Sequence, residues 1–461
     1  MNKDNAWLSY DAKEEKKLNA LCEEYKAFIT DSKTERRCVK NMTELAEKAG
    51  FQSLEIYVKE GRKPMAGDKI YATFMKKTMA LFVIGKEALS EGMNILGAHI
   101  DSPRLDVKQN PLYEDGKAEF AYLDTHYYGG IRKYQWLALP LAIYGVIAKK
   151  DGSVVDVAIG DNEADPVFAI TDLLPHLAKD QGAKTASEFV DGENLDILIG
   201  SRPLKGEEKD ATKAGILKLL KEKYDIEEED FVSAELEIVP AGKARDMGLD
   251  RSMVMGYGQD DRVCAFTSLK AIFEAKKPAR TSVCLLTDKE EIGSVGATGA
   301  HSMFFENAVA ELLALSGKDS DLAVRRALSR SRMLSSDVSA AFDPLYAGVS
   351  ETKNVAFFGQ GVCFNKFTGA RGKSGSNDAN AEYIARLRKV MDENKVRYQT
   401  SELGKVDQGG GGTIAYISAA YGMEVIDSGV PVLSMHAPWE TCSKSDIYEA
   451  YKAYKAFLQN A

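Results

Sequence analysis

A run of mostly apolar residues, Met93-Asn94-Ile95-Leu96-Gly97-Ala98, stops abruptly at His99-Ile100-Asp101, and Ser102-Pro103 follows. A short apolar run bounded by turn residues reads as a strand, and one this apolar suits a mostly parallel sheet covered by helices on both faces. In open α/β sheets the carboxyl ends of the strands are where active sites lie. A neutral imidazole there is a good zinc ligand, and a carboxylate close by can accept its other ring proton. A His-x-Asp pair at a strand end also arises by chance, so the remaining chain has to supply its partners.

The texture on either side is α/β. Leu18, Leu21, Cys22, Tyr25 and Phe28 form one apolar helical stripe, and a second helix is expected near Lys40 to Ala49, closing at Gly50. From about Arg251 strands and helices alternate again. Val263 to Ala275 has a helical period, Ser282 to Thr287 reads as a strand, and Val430 to Met435 as another that stops at His436. A last helix is expected after Ser445-Asp446, carrying Ile447, Tyr451, Tyr454 and Leu458. Between Arg104 and Lys243 the pattern changes to short β runs. Tyr144 to Ile147, Asp151-Gly152 and Val154 to Ile159 read as strand, turn, strand, and Phe231 to Val239 alternates. A charged stretch, Lys205 to Asp230, holds one expected helix around Ile216 to Tyr224. This region reads as an inserted domain.

At 461 residues the chain has room for about two or three domains of ~150 residues. Lys and Arg total 60 against 69 Asp and Glu, a net charge of -9, which argues against a nucleic-acid partner. The polar start, Met1 to Asn5, lacks the apolar core of a signal peptide, and no apolar run approaches the ~20 residues of a membrane span. The six cysteines include no C-x-x-C pair, so a thiolate zinc site or a disulfide framework is not expected and a cytoplasmic location is.

Four later sites share the character of the first. Asp260-Asp261 opens a helix, where adjacent acids also serve as simple caps. Glu290-Glu291 follows a strand. In an extended segment successive side chains point opposite ways, so one carboxylate can bind a metal while the other faces the metal-bound water. A solvated acidic loop is the plainer alternative. A phosphate loop fits poorly, because Gly293, Gly296 and Gly299 depart from G-x-G-x-x-G spacing and the acids would repel phosphate. Asp337, in Ser335-Ser336-Asp337, reads as a ligand or a turn residue. His436 ends its strand as a ligand or a core histidine. Of five histidines in the chain, two terminate strands in this way. The ordered set His, Asp, Glu-Glu, Asp, His can hold two zinc ions if one carboxylate bridges them, with one glutamate left as base.

These residues lie in longer motifs. Gly97-Ala98-His99-Ile100-Asp101-Ser102-Pro103-Arg104-Leu105-Asp106-Val107-Lys108 closely resembles the first motif of the aspartyl aminopeptidase family, the dinuclear zinc aminopeptidases of metallopeptidase family eighteen. Asp260, Glu290-Glu291-Ile292-Gly293-Ser294, Ser335-Ser336-Asp337 and Ser434-Met435-His436-Ala437 follow in the family's order, so the resemblance covers nearly the whole chain. It implies an α/β zinc-peptidase domain, residues 1–103 and 245–461, with a mostly parallel sheet flanked by helices. A β-rich dimerisation domain, residues 104–244, interrupts it.

The resemblance also implies roles. His99, Asp260 and Asp337 would hold one metal. Asp260, as the bridge, Glu291 and His436 would hold the other. Glu290 would be the general base acting on the bridging water, and Asp101 would orient His99. Two divalent ions per subunit are implied, zinc by the family, with cobalt and manganese also suiting mixed N/O donors. The implied activity is release of N-terminal residues from peptides with a free amino terminus. The implied assembly is a tetrahedral homododecamer whose active sites face an inner chamber.

His176, in Asp172-Leu173-Leu174-Pro175-His176-Leu177, matches a family histidine that reaches a neighbouring subunit's active site, though it also suits a helix surface. Lys366 and Lys373 suit an acidic side chain, the substrate's backbone or plain solvent. The segment Asp407-Gln408-Gly409-Gly410-Gly411-Gly412-Thr413 can line the pocket with backbone donors or form a flexible turn. Asp261 stands where relatives often carry asparagine, and can add charge near the metals or face away. The segment Val338 to Pro344 lacks the histidines that relatives carry there.

Overall fold

The structure is a computed structural model that describes residues 4–369 and 371–461. Met1 to Lys3 of the polar start therefore lie outside the described residues. The chain divides into two compact units. One holds residues 1–101, 244–435 and 440–461, and the other holds 102–243 with 436–439.

The first unit is built on a nine-stranded mixed sheet. Its centre is four parallel neighbours: Thr281–Thr287, Met93–His99, Arg332–Ser335 and Glu424–Gly429. The hairpin Lys69–Phe74 and Thr78–Val83 adds antiparallel strands on one side, and Val362–Asn365 adds one on the other. Alternation explains the apolar runs. Met93, Ile95, Val283 and Leu285 enter one core, and Leu96, Ala98, Cys284 and Leu286 enter the other. Successive strand side chains point to opposite faces, so a strand covered on both is mostly apolar along its length. The helices Ala12–Asp31, Glu35–Lys48, Gln259–Phe273 and Lys444–Asn460 supply one cover, and Phe304–Leu315 and Asp321–Ser329 supply the other.

Three readings of local structure change. Val430 to Met435 is not one strand. Glu424–Gly429 ends in the central sheet, and Pro431–Leu433 belongs to a separate five-stranded sheet. Proline lacks a ladder N–H and is tolerated at the first position of a strand, which is where Pro431 stands. Phe231 lies in a 3-10 turn, Glu228–Ser233, and the strand begins only at Ala234. The last helix starts at Lys444 with Ser443 as its N-cap, two residues before Ser445.

The close approach at Gly429 fixes where Asp337 stands. A Cβ on Gly429 would lie 1.7 Å from the Asp337 carbonyl oxygen. Backbone cannot yield as a side-chain end can, so Gly429→Ala is expected to destabilise the fold by about 1–3 kcal/mol. Chemical denaturation of variant and parent measures it.

The second unit is a six-stranded antiparallel sheet in the order Val154–Ile159, Leu141–Ala148, Ala234–Pro240, Arg104–Asp115, Phe120–Tyr128, Ile197–Gly200. The helix Ala211–Tyr224 belongs to the same unit. Among the described residues no helix is long and apolar enough to cross a membrane, and all six cysteines are buried.

Candidate metal centre

Three parallel strands and one helix start converge at the carboxyl edge of the central sheet. Thr287 pairs with His99, and Ser335 pairs with Gly97 two residues short of it. The register brings the residues after each strand to the same edge: Asp288 to Glu291 from one, Asp101 from the next, Ser336-Asp337 from the third. Asp260 and Asp261 open the helix Gln259–Phe273 with non-helical dihedrals, and the Asp260 N–H donates to Glu440 Oε2 at 3.0 Å.

His99 is the hub. Its Nε2 lies 3.2 Å from Asp260 Oδ1 and 3.9 Å from Glu290 Oε2. Its Nδ1 lies 3.3 Å from Asp101 Oδ1 and 3.2 Å from the Asp101 carbonyl oxygen. Its backbone N–H donates to Asp261 Oδ2 at 3.3 Å. The two ring nitrogens thus face different partners, Nδ1 toward Asp101 and Nε2 into the acidic cluster.

Asp101 also organises the glutamates. Its two carboxylate oxygens accept the backbone N–H groups of Glu290 and Glu291, each at 3.1 Å. These residues form a tight 3-10 turn, Glu290–Ile292, and not the extended segment expected from sequence. Such a turn leaves its first N–H groups without a local acceptor, and here Asp101 accepts two of them.

Two ligand groups emerge. The donor atoms of His99, Asp260 and Glu291 lie within 4.8 Å of one another, and so do those of His99, Asp261 and Asp337. Asp261 is therefore inside the cluster and fully buried. Sequence left its direction open, because adjacency to Asp260 was its only signal and adjacent side chains need not share a face.

The electrostatics ask for a cation. One imidazole stands among Asp101, Asp260, Asp261, Asp337, Glu290 and Glu291. Burial, and then the charges of Asp261 and Glu290, push the Asp337 carboxyl well above the usual carboxylate range. Burial also raises Asp261, with Asp260 adding to it. Burial alone would lower the His99 imidazole, yet its bonds to Asp101 and Asp260 and the charge of Glu290 raise it well above an ordinary histidine. Buried carboxylates crowded in this way are stable as anions only beside positive charge. Imidazole nitrogen with carboxylate oxygen is a donor set that zinc, cobalt and manganese accept. The residues fit a divalent metal.

The family described as Aminopeptidase I zinc metalloprotease (M18) matches residues 28–458. The chain belongs to the M18 aminopeptidases. It is similar to the probable M18 family aminopeptidase 1 of Clostridium acetobutylicum, with 60% identity over 457 residues, covering 99% of this chain and 98% of that one. The crystal structure of an M18 family aminopeptidase from Thermotoga maritima superposes with a TM-score of 0.95 at 44% identity, covering 100% of both chains. The S. cerevisiae mApe1 dodecamer shares the fold at 20% identity, with a TM-score of 0.76 and coverage of 96% of this chain and 97% of that one. As an M18 aminopeptidase the chain is a metal-dependent hydrolase of peptide bonds.

His436 follows Pro431–Leu433 in a turn and groups with the second unit, where its Nδ1 lies 3.3 Å from the Gly130 carbonyl oxygen. His176 is exposed in the 3-10 turn Pro175–Leu177, also in the second unit. Lys366 and Lys373 both pair with Asp378, at 3.2 and 3.1 Å. That shared carboxylate is the partner sequence could not foresee for either lysine.

Proposed function

We propose that this chain removes N-terminal residues from peptides with a free amino terminus, using two divalent ions and Glu290 as general base. The observation that carries this reading is the Asp101 carboxylate. It faces His99 Nδ1 and accepts the N–H groups of Glu290 and Glu291, so one side chain sets both a metal ligand and the base. His99, Asp260 and Asp337 would hold one ion, with Asp261 beside them. Asp260 and Glu291 would help hold the second, and the motif Ser434-Met435-His436-Ala437 assigns His436 to it by resemblance. Bound zinc would act as a Lewis acid on the scissile carbonyl and lower the pKa of the attacking water.

The protein residues do the proton work. Glu290 is anchored through its backbone, which leaves its carboxylate to take the proton from the water and pass it to the leaving amine. His99 keeps Nδ1 against Asp101, which leaves Nε2 for the metal. His176 and Lys366 are proposed as substrate contacts on the family resemblance. The second unit is proposed as the dimerisation domain, and the assembly as a tetrahedral homododecamer in the cytoplasm. Native mass spectrometry checks the assembly.

Metal removal tests the reading. Chelation is expected to abolish release of free-amine aminoacyl amides, and refilling with zinc, cobalt or manganese is expected to restore it at two ions per chain. N-acetylated substrates are expected to stay uncut under every metal. Cleavage of blocked substrates, with free-amine substrates untouched, would instead mark a deacylase or carboxypeptidase.

A further inference from the structure

Asp427 is a buried carboxylate that the chemistry above does not use. It lies in Glu424–Gly429, level with Ser335 on one side and Asn365 on the other, at the carboxyl edge that carries the metal centre. Only 1% of it is exposed. Its Oδ1 accepts the Thr413 hydroxyl at 2.7 Å. The Thr413 oxygen in turn accepts the Ala415 N–H at 3.3 Å, at the start of the short helix Ala415–Ala419. The hydroxyl proton points to Asp427 and a lone pair to Ala415, so one carboxylate fixes the threonine rotamer and the helix start together. Burial lifts the Asp427 carboxyl to about 6, while the Thr413 hydroxyl pulls it back down.

Two contacts join this junction to elements that lead to the metal centre. Ile414 Cδ1 lies 3.4 Å from where a Cβ on Gly97 would sit, on the strand that ends at His99. Tyr416 OH lies 3.1 Å from His301 Nε2, and the His301 N–H donates to the Ser294 carbonyl at 3.2 Å, in the loop that follows Glu290–Ile292. Immediately before Thr413 runs the glycine segment. The Gly409 N–H donates to the Lys405 carbonyl at 2.8 Å and the Gly411 N–H to the Thr368 carbonyl at 2.9 Å. A Cβ on Gly409 would lie 1.5 Å from the Leu403 carbonyl oxygen, so the folded-back path admits only glycine there. Consecutive glycines let another backbone approach closely, and their freedom means that something must hold them still.

We propose that Asp427 is a positioning residue for substrate binding, which through the Thr413 hydroxyl holds the glycine segment 409–412 as a wall that receives the substrate's peptide backbone. The proposal rests on the aminopeptidase reading for its substrate, and on the Asp427–Thr413 bond for its mechanism. A hydrogen bond lost from a wall changes binding before it changes chemistry.

The test compares four variants of the full-length, metal-loaded enzyme on one aminoacyl amide. Thr413→Val and Asp427→Ala are expected to raise KM about tenfold with kcat within about twofold of the parent. Thr413→Ser and Asp427→Asn retain a hydroxyl donor and an amide oxygen acceptor, and are expected to recover most of the parent KM. Hydrogen exchange of amides 407–412 is expected to accelerate about tenfold in Thr413→Val and to return to the parent rate in Thr413→Ser. Unchanged exchange in Thr413→Val overturns the proposal whatever the activity shows. A fall in kcat and thermal stability at parent KM also overturns it, because it marks a purely structural bond. A parent enzyme that cuts no free-amine substrate would sink the aminopeptidase reading instead, while the exchange measurement still decides whether Asp427 holds the segment.

Discussion

Glu290→Gln is expected to lower kcat by about 10²–10⁴-fold while the bound metal stays at the parent level. Glutamine has the same shape but accepts no proton at the operating pH. The Asp101 bonds run to the backbone N–H groups of Glu290 and Glu291, so the substitution leaves the turn in place. Glu290 reaches 3.9 Å from His99 Nε2, but its donor atom is not among either close ligand group. Its loss should therefore spare metal affinity. Glu291→Gln gives the contrast. Glu291 is in the group with His99 and Asp260, so that variant is expected to lose metal and activity together. Metal content by plasma mass spectrometry, alongside initial rates at saturating zinc, separates the two. Parent-like turnover in Glu290→Gln would remove it from the role of base.

The residues at the strand ends were legible because the fold makes them conspicuous. The central parallel strands are rich in apolar residues, so a histidine or carboxylate just past such a run marks the carboxyl edge. His99, Glu290-Glu291 and Asp337 all stand out on that ground. What was hidden depends on contacts distant in sequence. Asp261 joins the cluster through the His99 N–H, and nothing in Asp260-Asp261 indicates which way the second acid turns. Glu290 and Glu291 read as extended because their 3-10 turn is completed by Asp101, 189 and 190 positions earlier. Val430 to Met435 read as one strand because its apolar character is continuous, and the change of sheet at Pro431 is a matter of hydrogen-bond partners and not of hydrophobicity.

Asp101 is the second residue whose loss should be severe, and the comparison of two substitutions shows why. Asp101→Ala leaves His99 Nδ1 without its carboxylate and takes the acceptor from two backbone N–H groups that hold the glutamate turn. Removing a partner of a metal-ligating histidine costs about 10–100-fold in metal affinity or activity. Here the same deletion also releases the proposed base, so kcat is expected to fall at least that far even when zinc is saturating. Asp101→Asn is the sharper probe. An amide keeps one oxygen and replaces the other by a donor, while both glutamate N–H groups, and His99 Nδ1 if it carries the ring proton, need an acceptor. One of the two glutamate N–H groups, or His99 Nδ1, must then face an N–H. Asparagine should therefore behave like alanine and not like aspartate, despite its near-identical shape. If Asp101→Asn retained parent zinc affinity and parent kcat, Asp101 would be a space-filling residue, and the shared control of ligand and base by one carboxylate would be wrong. If it lost kcat but kept zinc, the hold on the glutamate turn would outweigh the hold on His99.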